Sequence, residues 1–186
     1  QSGDLKEFLL TDQFLVNTYK ARNTNLGYAL HEINRQVSGG QHSNELLNTE
    51  LFYSIAESIV ADQAIIYEQY SRLQFKKTET RQSLFRQLLE AREYMDAHLS
   101  DDIHLDQIIR NAFMSKYHFI RLFKATFILS PYQYILRKRL ESARVQLLGG
   151  SNVTETAFDA GYPDSSSFSK AFKAAFGVTP SSVKLK

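Results

Sequence analysis

Apolar residues recur at three- or four-residue steps through most of this chain, and the register changes several times. Leu47, Leu51, Ile55, Ile59, Ile66, Tyr70 and Leu73 form one face of a long helix, with Asp62 interrupting it. Ser43 and Asn44, just after two glycines, are placed to cap its start. Ahead of it, Phe14, Leu15, Tyr19, Leu26, Leu30, Ile33 and Val37 predict one or two more helices, with a break at 23–25 and Gly27. A new register begins near Thr80, carried by Leu84, Phe85, Leu88, Leu89, Met95 and Leu99. The polar run 76–80 marks a domain boundary, with a helical N-terminal region over 1–80 and a second domain over 81–186. No alternating segment with hairpin turn chemistry interrupts the series, so the expected fold class is all-α.

From residue 105 the punctuation becomes dense. A short helix from about Leu105 to Asn111 is followed by Ser115, an N-cap for a helix running to about Phe127. Pro131 opens a helix ending near Leu148 at two glycines. Asn152 or Thr154 caps a short helix to about Ala160. Asp164 caps another to about Phe176, Gly177 closes it, and Pro180 starts a last turn.

These elements repeat. At a spacing of 49, Phe119, Phe123, Lys124, Ala125, Phe127 and Pro131 match Phe168, Phe172, Lys173, Ala174, Phe176 and Pro180. The preceding short helices match at 48, Leu105 with Val153 and Ile109 with Ala157, so the second turn is one residue longer. A short helix, a tight turn and a longer capped helix make a helix-turn-helix pattern, written twice at about 105–127 and 153–176. Phenylalanines at i, i+4 and i+8 should anchor each second helix in a core. Its opposite face then carries Lys116, Tyr117, Ile120, Arg121 and Lys124 in the first copy. In the second copy it carries Ser165, Ser166, Ser169, Lys170 and Lys173.

Charge gives that face a meaning. The net charge of +2 hides a basic C-terminal half, and residues 115–144 hold seven Lys/Arg against one acid, Glu141. A basic stripe beside donors and small polar groups suits phosphates and base edges in a major groove. The helix Pro131–Leu148, with 18 residues, is about 27 Å long, close to the ~34 Å of one DNA turn. One chain could therefore read two successive grooves, with the run Arg137-Lys138-Arg139 approaching the phosphates between them.

Other chemistries are poorly served. There is no cysteine, which excludes disulfides, thiolate metal sites and thiol catalysis. The histidines at 31, 42, 98, 104 and 118 lack metal-ligand spacing, and there is no phosphate-cradling glycine loop. Ser165–Ser167 lack a nucleophile-elbow context and a nearby base, so the chain reads as neither an enzyme nor a cofactor protein. No apolar run is long enough to span a membrane. The chain begins at Gln1, not Met, which suggests residues upstream. The competing reading is a helical ligand-binding or protein-interaction module, which has no need of a second copy of the motif.

The stretch "VTETAFDAGYPDSSSFSKAFKAAFGVTP" resembles the C-terminal motif of the AraC/XylS family of bacterial transcription regulators. "LDQIIRNAFMSKYHFIRLFKATF" and "SPYQYILRKRLESARVQLL" resemble its first helix-turn-helix and linker helix, so the likeness covers about residues 83–186. The resemblance implies base-reading positions at Tyr117, Ile120 and Arg121, and at Ser165, Ser166, Ser169 and Lys170. It implies phosphate contacts at Lys116, Lys124, Arg137, Asn152 and Lys173. It also implies double-stranded DNA as partner, RNA polymerase as a second, an effector acting through a sensor region, a homodimer, and a place in the cytoplasm at the bacterial nucleoid. Nothing in 1–80 looks like the β-barrel sensor common in the family. Two positions depart from pattern: Ile128 stands where the second copy has Gly177, and His104 fills a cap slot where Ser or Thr is usual.

Overall fold

The computed structural model describes residues 24–38, 49–75, 77–101, 103–110 and 114–183. The caps expected at Ser43 and Asn44, the helix around Phe14 to Tyr19, and the Leu47 end of the long helix lie outside these residues. Among the described residues every regular element is a helix: α1 (Asn25–Ser38), α2 (Thr49–Ser71), α3 (Thr78–Ala97), α4 (Leu105–Ile109), α5 (Lys116–Phe127), α6 (Pro131–Leu148), α7 (Val153–Asp159), α8 (Ser165–Phe176) and α9 (Pro180–Val183). They fall into two compact units divided between Gln74 and Phe75, so residues 78–80, the first turn of α3, lie in the second unit.

In the first unit α1 packs on α2, and the residue that interrupts the apolar face of α2 explains why. Asp62 is buried, and its carboxylate accepts the backbone N–H groups of Asn25 (2.9 Å) and Leu26 (2.9 Å) and the Asn25 side-chain amide (2.8 Å). Thr24 Oγ1 accepts the N–H of Gly27 (3.0 Å). The first N–H groups of a helix have no partner inside it, so α2 supplies the cap that α1 needs. Gly27 is therefore inside the first turn of α1 and not the break expected there. The polar side chain overrides glycine's weak helix propensity. The stripe on α2 is only half covered: Leu51, Ile55, Ile59 and Ile66 are partly buried, while Phe52, Tyr53 and Ile65 are exposed.

The second unit is a pair of helix-turn-helix subdomains joined by α6. In the first, Phe85, Leu88, Met95, Ile108, Phe119, Leu122, Phe123 and Ile135 are buried. In the second, Leu140, Ala143 and Leu147 of α6 pack with Ala157, Ala160, Phe168 and Phe172. The ring ladders agree closely between copies. Phe119–Phe123 and Phe168–Phe172 centroids lie 5.6 and 5.5 Å apart, and Phe123–Phe127 and Phe172–Phe176 lie 4.6 and 4.7 Å apart. Phe127 and Phe176, at the helix ends, are partly buried.

Caps fix where each helix begins and ends. Ser115 Oγ accepts the N–H of His118 (3.3 Å), and Asn152 Oδ1 that of Thr154 (2.7 Å). Ser130 and Gln133 cap each other reciprocally (3.3 and 3.0 Å), just ahead of a Pro at the first helical position. His104 works in its unusual slot because its N–H donates to Gln107 Oε1 (3.1 Å). At the far ends, Ile128 (φ 70°) and Gly177 (φ 75°) both adopt the left-handed conformation, and both donate their N–H to the lysine four residues back at 2.8 Å. Ile128 thus takes the glycine backbone despite its branched side chain, at a cost of about 1–2 kcal/mol.

Three outcomes follow for stability. Ile128 is 63% exposed, so Ile128→Gly loses little burial and should raise the stability of the second unit by about 1 kcal/mol in a denaturant melt. Phe123→Ala and Phe172→Ala should each cost about 3–5 kcal/mol, because both rings are fully buried. Asp62→Ala should destabilise the first unit by about 1–3 kcal/mol, read as lost hydrogen-exchange protection at the start of α1.

Candidate nucleic-acid interface

The buried phenylalanines turn one face of α5 and one of α8 inward, and the opposite faces are presented to solvent. On α5, Lys116, Tyr117, Arg121 and Lys124 are exposed, Tyr117 at 79%, and Ile120 is half-buried. On α8, Ser166, Lys170 and Lys173 are exposed, while Ser165 and Ser169 are half-buried. Lys116 Nζ lies 3.1 Å from Asp106 Oδ1 in an open surface pair, an interaction worth little against competition. Arg121, Lys124 and Lys173 form no ion pair among the described residues. Ser165 Oγ donates to Thr154 Oγ1 at 3.3 Å, which ties the start of α8 to α7.

The start of α8 is held by Asp164. Its carboxylate accepts the Ser167 N–H (2.7 Å) and the Ser167 hydroxyl (3.0 Å). These hydrogen bonds, the backbone one foremost, hold the carboxyl below the usual range and keep it ionised at the positive end of the helix. Of the three serines at 165–167, Ser167 therefore serves the cap. Asn152 spends its side-chain oxygen on Thr154, leaving its NH2 as the group that can donate outward.

The cations of the linker helix also meet groups of the fold, although Arg137 and Arg144 are exposed. Arg137 donates to Ala175 O (3.1 Å), pairs with Glu141 (3.2 Å) and lies 5.0 Å from the Phe176 ring centroid. Lys138 pairs with Glu141 (3.0 Å) and lies 5.8 Å from the Tyr134 ring. Arg139 donates to Leu99 O (2.8 Å) and Asp101 O (2.7 Å), and it packs so closely that a Cβ on Gly161 would meet its Nη1 at 2.6 Å. Arg144 lies 5.2 Å from the Phe176 ring. Four of the seven basic residues in 115–144 are thus engaged within the fold, and three stand on α5. Charge counting cannot tell these groups apart. The only sequence signal was Glu141, four residues after Arg137.

Other contacts that hold the two helix-turn-helix units in place carry no motif at all. Tyr134 Oη donates to Asp96 (2.8 Å), joining α6 to α3, and burial pushes the Tyr134 hydroxyl pKa well up. Arg92 of α3 lies 5.1 Å from the Phe127 ring. Among the described residues no group of histidines and acids could hold a metal, and no helix is long and apolar enough to cross a membrane.

Residues 108–185 match a family model described as a helix-turn-helix domain. A probable transcriptional regulator LumQ from Photobacterium leiognathi is 35% identical over 89 residues, which is 47% of this chain and 36% of that protein. Regulatory protein PocR from Salmonella typhimurium is 34% identical over 92 residues, which is 49% of this chain and 30% of that protein. The chain therefore spans about a third of the length of these curated relatives. A crystal structure of a transcriptional regulator from Chromobacterium violaceum, titled as an AraC-type DNA-binding domain-containing protein, is 28% identical. It covers 53% of this chain and 89% of that one, with a TM-score of 0.49. Over its second unit, where two helix-turn-helix units repeat in sequence, ring spacing and cap, the chain is thus similar to a helix-turn-helix domain and to part of each of these transcriptional regulators.

Proposed function

We propose that this chain is a sequence-specific DNA-binding regulator of transcription whose α5 and α8 enter successive major grooves on one face of the duplex. The observation that carries this reading is the pair of matched helix-turn-helix units on one 18-residue helix, each turning exposed cations outward from a buried phenylalanine ladder. The helix is about 27 Å long, which suits grooves ~34 Å apart once the two units project from its sides. In this reading Tyr117, Ile120 and Arg121 face bases in one groove, and Ser165, Ser166, Ser169 and Lys170 face bases in the next. Lys116, Lys124, Lys173 and the Asn152 amide meet phosphates. The first helix is bulky and basic and the second serine-rich, so the two half-sites differ in sequence and the operator is not a simple repeat.

The N-terminal region, 1–80, takes the role of a sensor-linked or dimerising segment, and α2 offers Phe52, Tyr53 and Ile65 exposed. RNA polymerase, a small-molecule effector and a second copy of the chain complete the partners that the family resemblance implies, in the cytoplasm at the nucleoid.

Salt and substitution test the reading together. With Lys116, Lys124 and Lys173 on phosphates, the log–log slope of affinity against salt should be at least about −3, at about −0.9 per phosphate neutralised. A slope near zero on duplex DNA removes the DNA-binding reading. Arg121 lies between Phe119 and Phe123 in sequence but off their face, and its planar fork suits guanine O6 and N7. Arg121→Ala should cost about 1–3 kcal/mol on the preferred site and relax preference at one or two base pairs. Lys124→Ala should weaken all sequences alike and make the slope shallower by about one unit. Both variants are to be titrated against a library of base-substituted sites. An unchanged ranking of sites for Arg121→Ala rules Arg121 out as a base reader.

A further inference from the structure

We propose that Arg137, together with Arg144 and the Phe176 ring, fixes the position of α8 on α6 and so determines which spacing between half-sites the protein accepts. The spacing part rests on the two-groove reading above. The positioning part stands on the structure of the second unit alone.

Helix α6 is common to both subdomains: Pro131 and Ile135 are buried at its start, and Leu140, Ala143 and Leu147 in the second core. The distance between α5 and α8 is therefore set by how each is attached to α6. Helix α8 is attached at Phe168 and Phe172 by buried apolar packing, which has no directional hydrogen bond. Its C-terminal end is attached differently. Arg137 and Arg144 are two helical turns apart, about 10.5 Å along α6. Their guanidinium carbons lie 5.0 and 5.2 Å from the Phe176 ring centroid, so one ring is held at two points of the linker helix. Arg137 also donates from Nη1 to Ala175 O at 3.1 Å, a carbonyl of the last turn of α8 that has no partner within the helix. Its Nε meets Glu141 Oε1 at 3.2 Å, which fixes the fork. A lysine could keep the charge but not these simultaneous directional contacts.

The first copy uses a single version of the same device, Arg92 of α3 lying 5.1 Å from the equivalent ring, Phe127. Arg92 stands on α3, whereas Arg137 and Arg144 stand on α6, the helix whose residues enter both cores. This assigns Arg137 a positioning role in place of the phosphate contact expected from the sequence.

Two measurements on the full chain test this. The chain has no cysteine, so Tyr117→Cys with Ser166→Cys places one spin label on α5 and one on α8 without background. Electron-resonance distances without DNA should give a narrow distribution. Arg137→Ala, Arg137→Lys and Phe176→Leu should each broaden it, and Arg137→Ala with Phe176→Leu should broaden it no further. An unchanged distribution overturns the proposal whether or not the protein binds DNA. The second measurement uses the duplex selected by the cysteine-free protein from a random library, then that duplex with one base pair inserted between the half-sites. Arg137→Ala should weaken the selected site about five- to tenfold, shrink the penalty for the inserted pair, and leave both base preferences and the salt slope unchanged. Restoration by Arg137→Lys with a slope shallower by about 0.9 in Arg137→Ala would mark a phosphate contact and refute the positioning role. Failure of the parent protein to select any duplex refutes the DNA reading, while the distance measurement still decides the positioning.

Discussion

One helix contributing to two cores is the constraint on which the second unit depends. Helix α6 presents Ile135 to the first helix-turn-helix and Leu140, Ala143 and Leu147 to the second, so neither subdomain has a complete core without it. Short subdomains bury too little apolar surface to be stable alone, and sharing a wall offsets that deficit. The same sharing removes a flexible linker: the connection between the two units is a run of backbone hydrogen bonds with a Ser130–Gln133 capping box at one end. Tyr134 to Asp96 and Arg139 to Leu99 O and Asp101 O then bind α6 to the end of α3, so the rod is held on both sides.

Local rules made much of this architecture legible. Ser115, Asn152 and Asp164 are side-chain caps, Pro131 opens α6, and Gly149 and Gly177 follow the ends of α6 and α8. Each of these signals acts within one turn, through a side chain and the backbone beside it. The repeat at 49 residues was readable for a similar reason, because phenylalanines at i, i+4 and i+8 share a face in any helix. Illegible were the contacts made across long sequence separations. Asp62 looked like a flaw in an apolar stripe, yet it caps a helix whose first residue is 37 positions away. The Arg137–Ala175 and Arg139–Leu99 contacts span 38 and 40 positions. A sequence gives the charge of such a residue and not what it faces.

The basic stripe shows the consequence for charge arguments. Seven cations in 115–144 suggest a strongly polyanion-seeking surface, but Arg137, Lys138, Arg139 and Arg144 are committed to carbonyls, Glu141 or aromatic rings. Exposed are Lys116, Arg121 and Lys124 on α5 and Lys170 and Lys173 on α8, with Arg137 and Arg144 of α6 exposed as well as engaged. Of these, Arg121, Lys124 and Lys173, on two short helical faces, form no ion pair among the described residues, while the cations of the linker are tied to groups of the fold. A charge in contact with a ring or a carbonyl still adds to the long-range potential.

The two copies have kept the same backbone and diverged in what they carry. Ile128 and Gly177 end their helices with the same left-handed residue and the same 2.8 Å hydrogen bond to a lysine carbonyl. Since the isoleucine carries strain that the glycine does not, the surrounding fold must offset that cost at Ile128. The shared backbone leaves the outward face free to vary. Tyr117 and Arg121 on one helix, against Ser166 and Lys170 on the other, project from backbones held alike by buried rings. The inward face and the caps set where each helix lies, so the outward residues can differ between the copies without disturbing the shared core.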